Sequence, residues 1–569
     1  MRRFLLFVGL LFPISMFAQN TNAPLNSDYY HLLDRYEIRQ KKFSKSFFTV
    51  AKPYTREAIA AFVDSLKLDG LSKSDQFNLG YLRNDNWEWT DQAENDSKKP
   101  IFKHFYKKQS DLYHVQTKDF DLHVNPVLYL SLGNDGNLDA TTFTNTRGVQ
   151  IRGNIGKKLG FYAFVSENQI RFPQYVTGFA GDEGTIIPSV SNQNAVPAEG
   201  FWKVYQEDGY DFFNARGYIT FKAFEQVSFQ FGHDRNFFGN GYRSLILSDH
   251  ATNYLFMRIN TKVWRLNYTN IAANIAPFAL KDGDQFSDKY FAYHHLSVNI
   301  TDNFNIGFFE SVTFGREDSL QNNEFDLNYI NPLIFLRGIE QNRASLDNVI
   351  LGIDWKWNLW GKIQLYSQVV LDEFLFDDFF SRNGNWRNKQ AMQLGFKYID
   401  VAGISNLDIQ GEFNVVRPYM YTHFDRNGTG EQQYSNYQHF GQPLAHPLSA
   451  NFMEFIGIAR YQPLPRLQLT GKLMYVDLGE DRPGENWGGN LFKDYVTRAQ
   501  DLDNRVGQGV NAKLFFGDFT ASYQLRHNLF LDLKQVIRRF NSEDDARDHN
   551  TNFTSFALRW NIPQRLNEF

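Results

Sequence analysis

Between Asn214 and Phe231 the chain alternates residue by residue. Ala215, Gly217, Ile219, Phe221 and Ala223 interleave with Arg216, Tyr218, Thr220, Lys222 and Phe224. After a turn near Glu225, Val227, Phe229 and Phe231 interleave with Gln226, Ser228 and Gln230. Successive side chains of a strand point to opposite faces, so each arm of this hairpin has one apolar and one polar face. A soluble sandwich would show the same alternation. The hairpin recurs to the C-terminus, however, with short turns at one end and long polar loops at the other, the pattern of a transmembrane β-barrel.

From Leu122 onward about eighteen strands are predicted, each of roughly 9–13 residues, the length a tilted strand needs to cross a bilayer. They run from 121–132 to 551–562, with 505–516 and 518–531 near the end. Short connections fall at 156–158, 224–226, 301–303, 358–361, 462–465 and 517–518. Long ones occupy 172–210, 234–251, 273–289, 315–346, 372–389, 418–449, 478–504 and 532–550. An even count places both ends of the barrel on the short-turn, periplasmic side. The last strand is expected to end near Phe569, as in chains inserted by the outer-membrane assembly machinery. The predicted class is all-β: an antiparallel transmembrane β-barrel of about 18 strands with a small N-terminal α-helical periplasmic domain.

Helical periodicity is confined to residues 27–85. Ser27 can cap a helix carrying Leu32, Leu33 and Tyr36, and Thr55 precedes one with Ile59, Phe62, Val63 and Leu66 on one face. Ser72 with Asp75 forms a capping-box variant before Phe77 and Leu82. Three short helices make little core alone and are expected to pack on the periplasmic mouth. Residues 86–120 read as a polar connector. Met1–Ala18 reads as a signal peptide, with Arg2 and Arg3 before the apolar run Phe4–Phe12. The expected domains are 1–18 signal peptide, 19–120 helical periplasmic domain and connector, and 121–569 outer-membrane β-barrel.

Composition agrees with this picture. The 55 Phe, 29 Tyr and 10 Trp suit a lipid-facing band with aromatic girdles. A mean hydropathy of −0.46 excludes a helical membrane protein. With 59 basic and 63 acidic residues there is no basic face for nucleic acid. With no cysteine there are no disulfides, thiolate chemistry or lipoprotein anchor.

No enzymatic motif is present, so no catalytic residue, metal site or cofactor is assigned. Asp135, Asn137 and Asp139 open like a calcium loop, but Ala140 stands where glycine is needed, so a hairpin tip is expected. Asp372, Glu373, Asp377 and Asp378 read as a solvated loop. His294 and His295 are neighbours in a strand and cannot share a metal. The charged residues expected to face the interior include Arg152, Lys222, Glu412, Lys472, Lys513, Arg526 and Arg559. They can line a pore or pair across the lumen and close it.

Two stretches are richer than ordinary loops. Gly232–Asp249 carries Asp234, Arg235, Asn236 and Arg243 among three glycines. Asn328–Asn348 carries Arg337, Glu340, Asn342 and Arg343 beside Ile334, Phe335 and Leu336, too apolar for a free loop, and is expected to fold inward over the lumen. Aromatic faces beside arginine forks and carboxylates suit sugar hydroxyls and uronic acids. A constriction loop held by arginine–carboxylate pairs needs the same residues.

The segments YYHLLDRYEI, KPYTREAIAAFVDSL, GHDRNFFGNGYRSLILSD and NPLIF, with the strand count, resemble the Wzi-like capsule-assembly outer-membrane proteins. The nearest likeness is to a Bacteroidetes branch related to the gliding-motility protein RemB. The resemblance implies a non-enzymatic barrel that binds or organises surface polysaccharide. For the RemB-like branch it implies gliding motility through surface adhesins or secretion-system partners. Asp234, Arg235, Asn236, Arg243, Arg337 and Glu340 are the expected polysaccharide contacts. The expected partners are outer-membrane lipid, surface polysaccharide and periplasmic or cell-surface proteins, with no nucleic acid. A diffusion porin is a further alternative. An outer-membrane lipase is disfavoured because no serine stands in a nucleophile setting.

Overall fold

The computed structural model describes residues 21–156, 158–177, 195–277, 280–281, 285–286, 289–315, 317–318, 321–322, 326–331, 336, 338, 347–373, 377, 380, 382–424 and 435–569. Eighteen antiparallel strands close into one barrel. The first six are β1 (Phe120–Asp135), β2 (Thr142–Ile155), β3 (Leu159–Arg171), β4 (Gly209–Phe224), β5 (Val227–Asp234) and β6 (Tyr254–Val263). Then come β7 (Leu266–Ile275), β8 (Lys289–Asn299), β9 (Phe304–Gly315), β10 (Asn348–Leu359), β11 (Ile363–Glu373) and β12 (Lys389–Tyr398). The circle is completed by β13 (Leu407–Val416), β14 (Phe452–Leu464), β15 (Leu467–Glu480), β16 (Val510–Arg526), β17 (Leu529–Ser542) and β18 (His549–Trp560). Each strand pairs with its neighbour in sequence, and β18 returns to β1 from Leu128↔Trp560 to Asp135↔Phe553. Closure matters physically: hydrocarbon offers backbone N–H and C=O groups no partners, so a spanning sheet must leave no edge.

The alternation sorts side chains between lipid and lumen as expected. Met392, Leu394 and Phe396 of β12 and Leu469, Leu473 and Tyr475 of β15 are exposed on the outside. Asp408, Gln410, Glu412 and Asn414 of β13 are buried within. Trp264 and Trp360, 84% and 76% exposed, stand in two short turns, where an aromatic girdle belongs.

One hairpin departs from the expected register. Gly517–Asp518 is not a turn; it lies inside β16, and the chain reverses at His527–Asn528. Asp518 points into the lumen, 3.2 Å from Lys472 and 2.9 Å from Lys534, so its charge is matched in mid-strand. Two inward expectations on this strand are corrected as well. Lys513 shares the exposed face of Phe515 and Phe519 instead of facing the lumen, and Arg526 is exposed at the strand's end.

Three helices precede the barrel: α1 (Ser27–Arg39), α2 (Arg56–Ser65) and α3 (Lys73–Asp85). Asn26, one residue before Ser27, caps α1 by accepting the N–H groups of Asp28 and Tyr29. Thr55 caps α2, and Ser72 with Asp75 forms the full capping box of α3. Leu33, Tyr36, Ile59, Phe62, Val63 and Leu82 make a small core of their own. The bundle docks on the short-turn end. Phe43 N–H donates to the Asp302 carbonyl (2.7 Å), Asn78 to Gln462 Oε1 (2.7 Å) and Tyr81 OH to Asn528 Oδ1 (2.5 Å). The connector packs there too: Arg152 of β2 pairs with Glu88 and lies 3.7 Å from Asp111.

The lumen at the long-loop end is filled by chain. Phe238, Leu245, Ile246 and Leu247 from the β5–β6 loop are buried with Met420, Tyr421, Tyr437 and Leu444 from the β13–β14 loop. Tyr421 OH donates to the Leu245 carbonyl (2.8 Å) and Tyr437 OH to that of Ile246 (2.7 Å). The inserted loop meets the helical segment directly, since Ala51 and Lys52 pair with Phe238 and Phe237. Residues beyond Trp560 also turn inward. Phe569 is buried, and its carbonyl accepts from Arg538 Nε (3.0 Å), so it is not the end of the last strand.

The stretch Asn328–Asn348 does not behave as expected in its described part. Tyr329 and Leu336 pack on Tyr290, Ala292, Val312, Phe314 and Val349. Phe291, Tyr293, Phe309 and Ile350 belong to the luminal cluster, so those alternate positions face outward. Tyr329 and Leu336 therefore lie against the outer wall, covering an apolar patch there. Glu310, on the same outer row, accepts the Leu336 N–H at 2.6 Å.

Candidate functional site

Between the bundle and the inserted loop lies a luminal cavity of about 250 Å³. Phe164 of β3 and Arg216 of β4 form one wall; Lys397 of β12 and Arg460 of β14 stand across the lumen. Tyr30, His31 and Asp34 rise from α1, Arg235 to His250 descend from the β5–β6 loop, and residues 562–567 close the side. Lys397 Nζ bridges the gap by donating to Asp34 Oδ2 at 2.6 Å and to the Asn240 carbonyl at 2.7 Å. Burial pushes the Asp34 carboxyl up, but Lys397 and Lys52 outweigh it and hold the group below the usual carboxylate range.

The residues singled out in the first stretch divide between structure and cavity. Arg235 lines the cavity and donates through Nη1 to the Asp249 carbonyl at 2.9 Å. Arg243 lines it too, donating to the Glu568 carbonyl at 2.6 Å, with Glu454 at 3.6 Å. Asp234 accepts the Arg235 N–H (2.9 Å) and lies 3.9 Å from Arg216. Asn236 is fully buried between Tyr254 OH (3.3 Å) and Arg258 Nη1 (3.1 Å). Arg337 and Glu340 fall outside the described residues.

The other candidate groups take structural partners. His295 Nε2 lies 2.6 Å from Asp354 Oδ2 inside the lumen. Asp372 is buried instead of solvated: it accepts the Tyr421 N–H (2.8 Å) and sits 3.4 Å from Lys389. Among the described residues no group of three or more histidine, aspartate or glutamate side chains is arranged to hold a metal.

No protein-family model matches the chain, and no curated protein matches it in sequence. Its fold does have a full-length counterpart. That structure is Wzi of Escherichia coli, an outer-membrane protein involved in group 1 capsule assembly and described as a carbohydrate-binding β-barrel. The identity is 13% and the TM-score 0.56, covering 96% of this chain and 99% of Wzi. The OprD barrel of Pseudomonas aeruginosa matches less well, at 10% identity and TM-score 0.41 over 77% of this chain and 94% of OprD. The 96% matched to Wzi takes in the barrel and most of the residues before it.

Several cavity residues were not legible in sequence. Arg216 stands in the sequence as one polar position of the first hairpin, and nothing there singles out Arg460. Arg565, which pairs with Glu199 at 2.7 Å, lies in a segment read as strand end. The apolar runs Tyr419–Tyr421 and Pro443–Leu448 inside a long polar loop were the available signal that this loop inserts.

Proposed function

We propose that this protein is a non-enzymatic outer-membrane barrel, its helices on the periplasmic side, that binds and organises surface polysaccharide. The main support is the chain inside the lumen: among the described residues, helices at the short-turn mouth and two inserted loops at the other pack around a lined cavity. Barrels of this strand number otherwise enclose an aqueous channel. The fold shared with Wzi along nearly the whole chain adds to this. Of the contacts expected from sequence, Arg235 and Arg243 line that cavity.

The test is binding of purified surface polysaccharide to the detergent-solubilised protein, with retention of that polysaccharide by a deletion strain. Saturable binding and loss of retained glycan are expected. Absence of binding with glycan retention intact would overturn the reading, and a defect in spreading on agar alone would replace it with a motility role.

A further inference from the structure

We propose that the luminal cavity is a subsite for a carboxylate-bearing sugar, a uronate unit, gripped by Arg216 and Arg235. This deepens the polysaccharide-binding reading and rests on it. Among the described residues lining the cavity, seven cationic side chains meet four carboxylates. Two of the four, Asp34 and Glu199, are taken by Lys397 and Arg565 at 2.6 and 2.7 Å. Arg243 has Glu454 at 3.6 Å and Glu568 at 3.9 Å.

Arg216 and Arg235 are poorly served, as is Arg460, which among the described residues meets only Gln410 Oε1 at 3.2 Å. The nearest carboxylate oxygen to Arg216 is on Asp234, at 3.9 Å, outside hydrogen-bond reach. Arg235 spends Nη1 on backbone carbonyls, which carry no charge. In both side chains Nε is buried without a partner. A buried donor left unmatched costs stability, and more when it is charged, so the arrangement favours an anion that completes it. Burial disfavours further charge on the neighbouring groups. Burial, aided by Lys397 and Lys356, brings the Lys52 ammonium down to about 8 against the pull of Asp34. Burial and then Arg243 bring His250 down to about 3, so it stays neutral.

The surroundings favour a sugar acid over a bare ion. A guanidinium matches a carboxylate with two parallel hydrogen bonds. The Arg216 guanidinium lies 4.1 Å from the centre of the Phe164 ring, and Lys52 Nζ lies 4.5 Å from that of Phe237. Both rings line the cavity beside these cations, so its wall is partly apolar. The volume is near the lower end of ligand pockets, roughly 300 Å³ and upward, which suits a short saccharide unit.

The full chain in detergent would be titrated calorimetrically with a glucuronate-containing disaccharide, its uncharged methyl ester and inorganic phosphate. The acid is expected to bind on the order of tenfold or more tighter than the ester. Arg216→Gln and Arg235→Gln should each weaken acid binding on the order of tenfold, with Arg235→Lys between them and wild type. Heat-modifiable gel mobility reports whether each variant keeps its barrel, and the acid–ester comparison on wild type decides the matter if one does not. Equal binding of acid and ester, unaltered affinity in both folded Gln variants, or tight phosphate binding without uronate binding would each overturn the proposal. If intact polysaccharide still bound in any of those cases, the subsite would fall and the broader function would stand. Uronate binding without polysaccharide binding or retention would give the reverse.

Discussion

Arg35 holds the helices to the barrel, and replacing it with methionine should undock them. Its guanidinium is 2% exposed and meets three carboxylates: Asp75 of α3 at 3.2 Å, Asp400 in a short turn at 2.6 Å, and Asp408 of β13. Removing one partner of a buried ion pair costs about 3–5 kcal/mol, because the remaining charge is stranded. Here the carboxylates keep other donors: Asp75 keeps Arg39 (2.7 Å), Asp408 keeps His31 (2.9 Å), and Asp400 keeps the Asn406 N–H (2.7 Å). The lower end therefore applies, about 3 kcal/mol, or roughly a hundredfold in the docking equilibrium. Limited proteolysis of the protein in micelles measures this directly. Arg35→Met should speed cleavage within residues 21–120 by about that factor in the fast-opening regime, while the barrel keeps its heat-modifiable mobility. Unchanged cleavage, or loss of the barrel together with the bundle, would refute the reasoning.

The docking should also be acid-sensitive. Burial pushes Asp75 and Asp85 up, but Arg35 in the first case and Arg56 in the second overcome it and hold both below the usual carboxylate range. Their contribution is thus complete above the unfolded-state value and is lost as pH falls through the lowered one. Protection from an acid-active protease should hold to about pH 4 and fade below it. On the outer wall, Leu394→Arg at an exposed lipid-facing site should destabilise folding into vesicles by about 2–4 kcal/mol near the midplane, read by urea titration. The last hairpin can be checked by insertion: a short Gly-Ser insert at His527–Asn528 should be tolerated, and the same insert at Gly517–Asp518 should block assembly. The opposite pattern would restore the turn expected from sequence.

The barrel was legible because its signal is simple. A lipid face and a wet face on one strand force a period of two, and Leu407–Val416 shows it in side-chain type before any coordinates. The capping box at Ser72–Asp75 was equally plain, since both partners lie within four residues. What failed depended on distant partners. Gly-Asp at 517–518 is a turn signal locally, yet Lys472 and Lys534 on the two neighbouring strands neutralise Asp518 and let the strand run on. Leu336 announced burial but not its side, because an apolar residue suits the lumen and the outer wall alike. The described parts of the loop at 418–449 insert alongside the 234–251 loop, and the apolar run Tyr419–Tyr421 carries the same signal. Of the candidate site, Arg235 and Arg243 were found through their glycine-rich loop. Arg216 and Arg460 became site residues only once strands on opposite walls faced each other across the lumen.

The most direct test is the electrical conductance of the full chain reconstituted in a planar bilayer. A barrel filled by its helices and inserted loops should give no steady open-channel steps at moderate voltage. Stable steps of the size expected for an open barrel of this width would show an unobstructed lumen, and a porin would have to replace the binding protein described above.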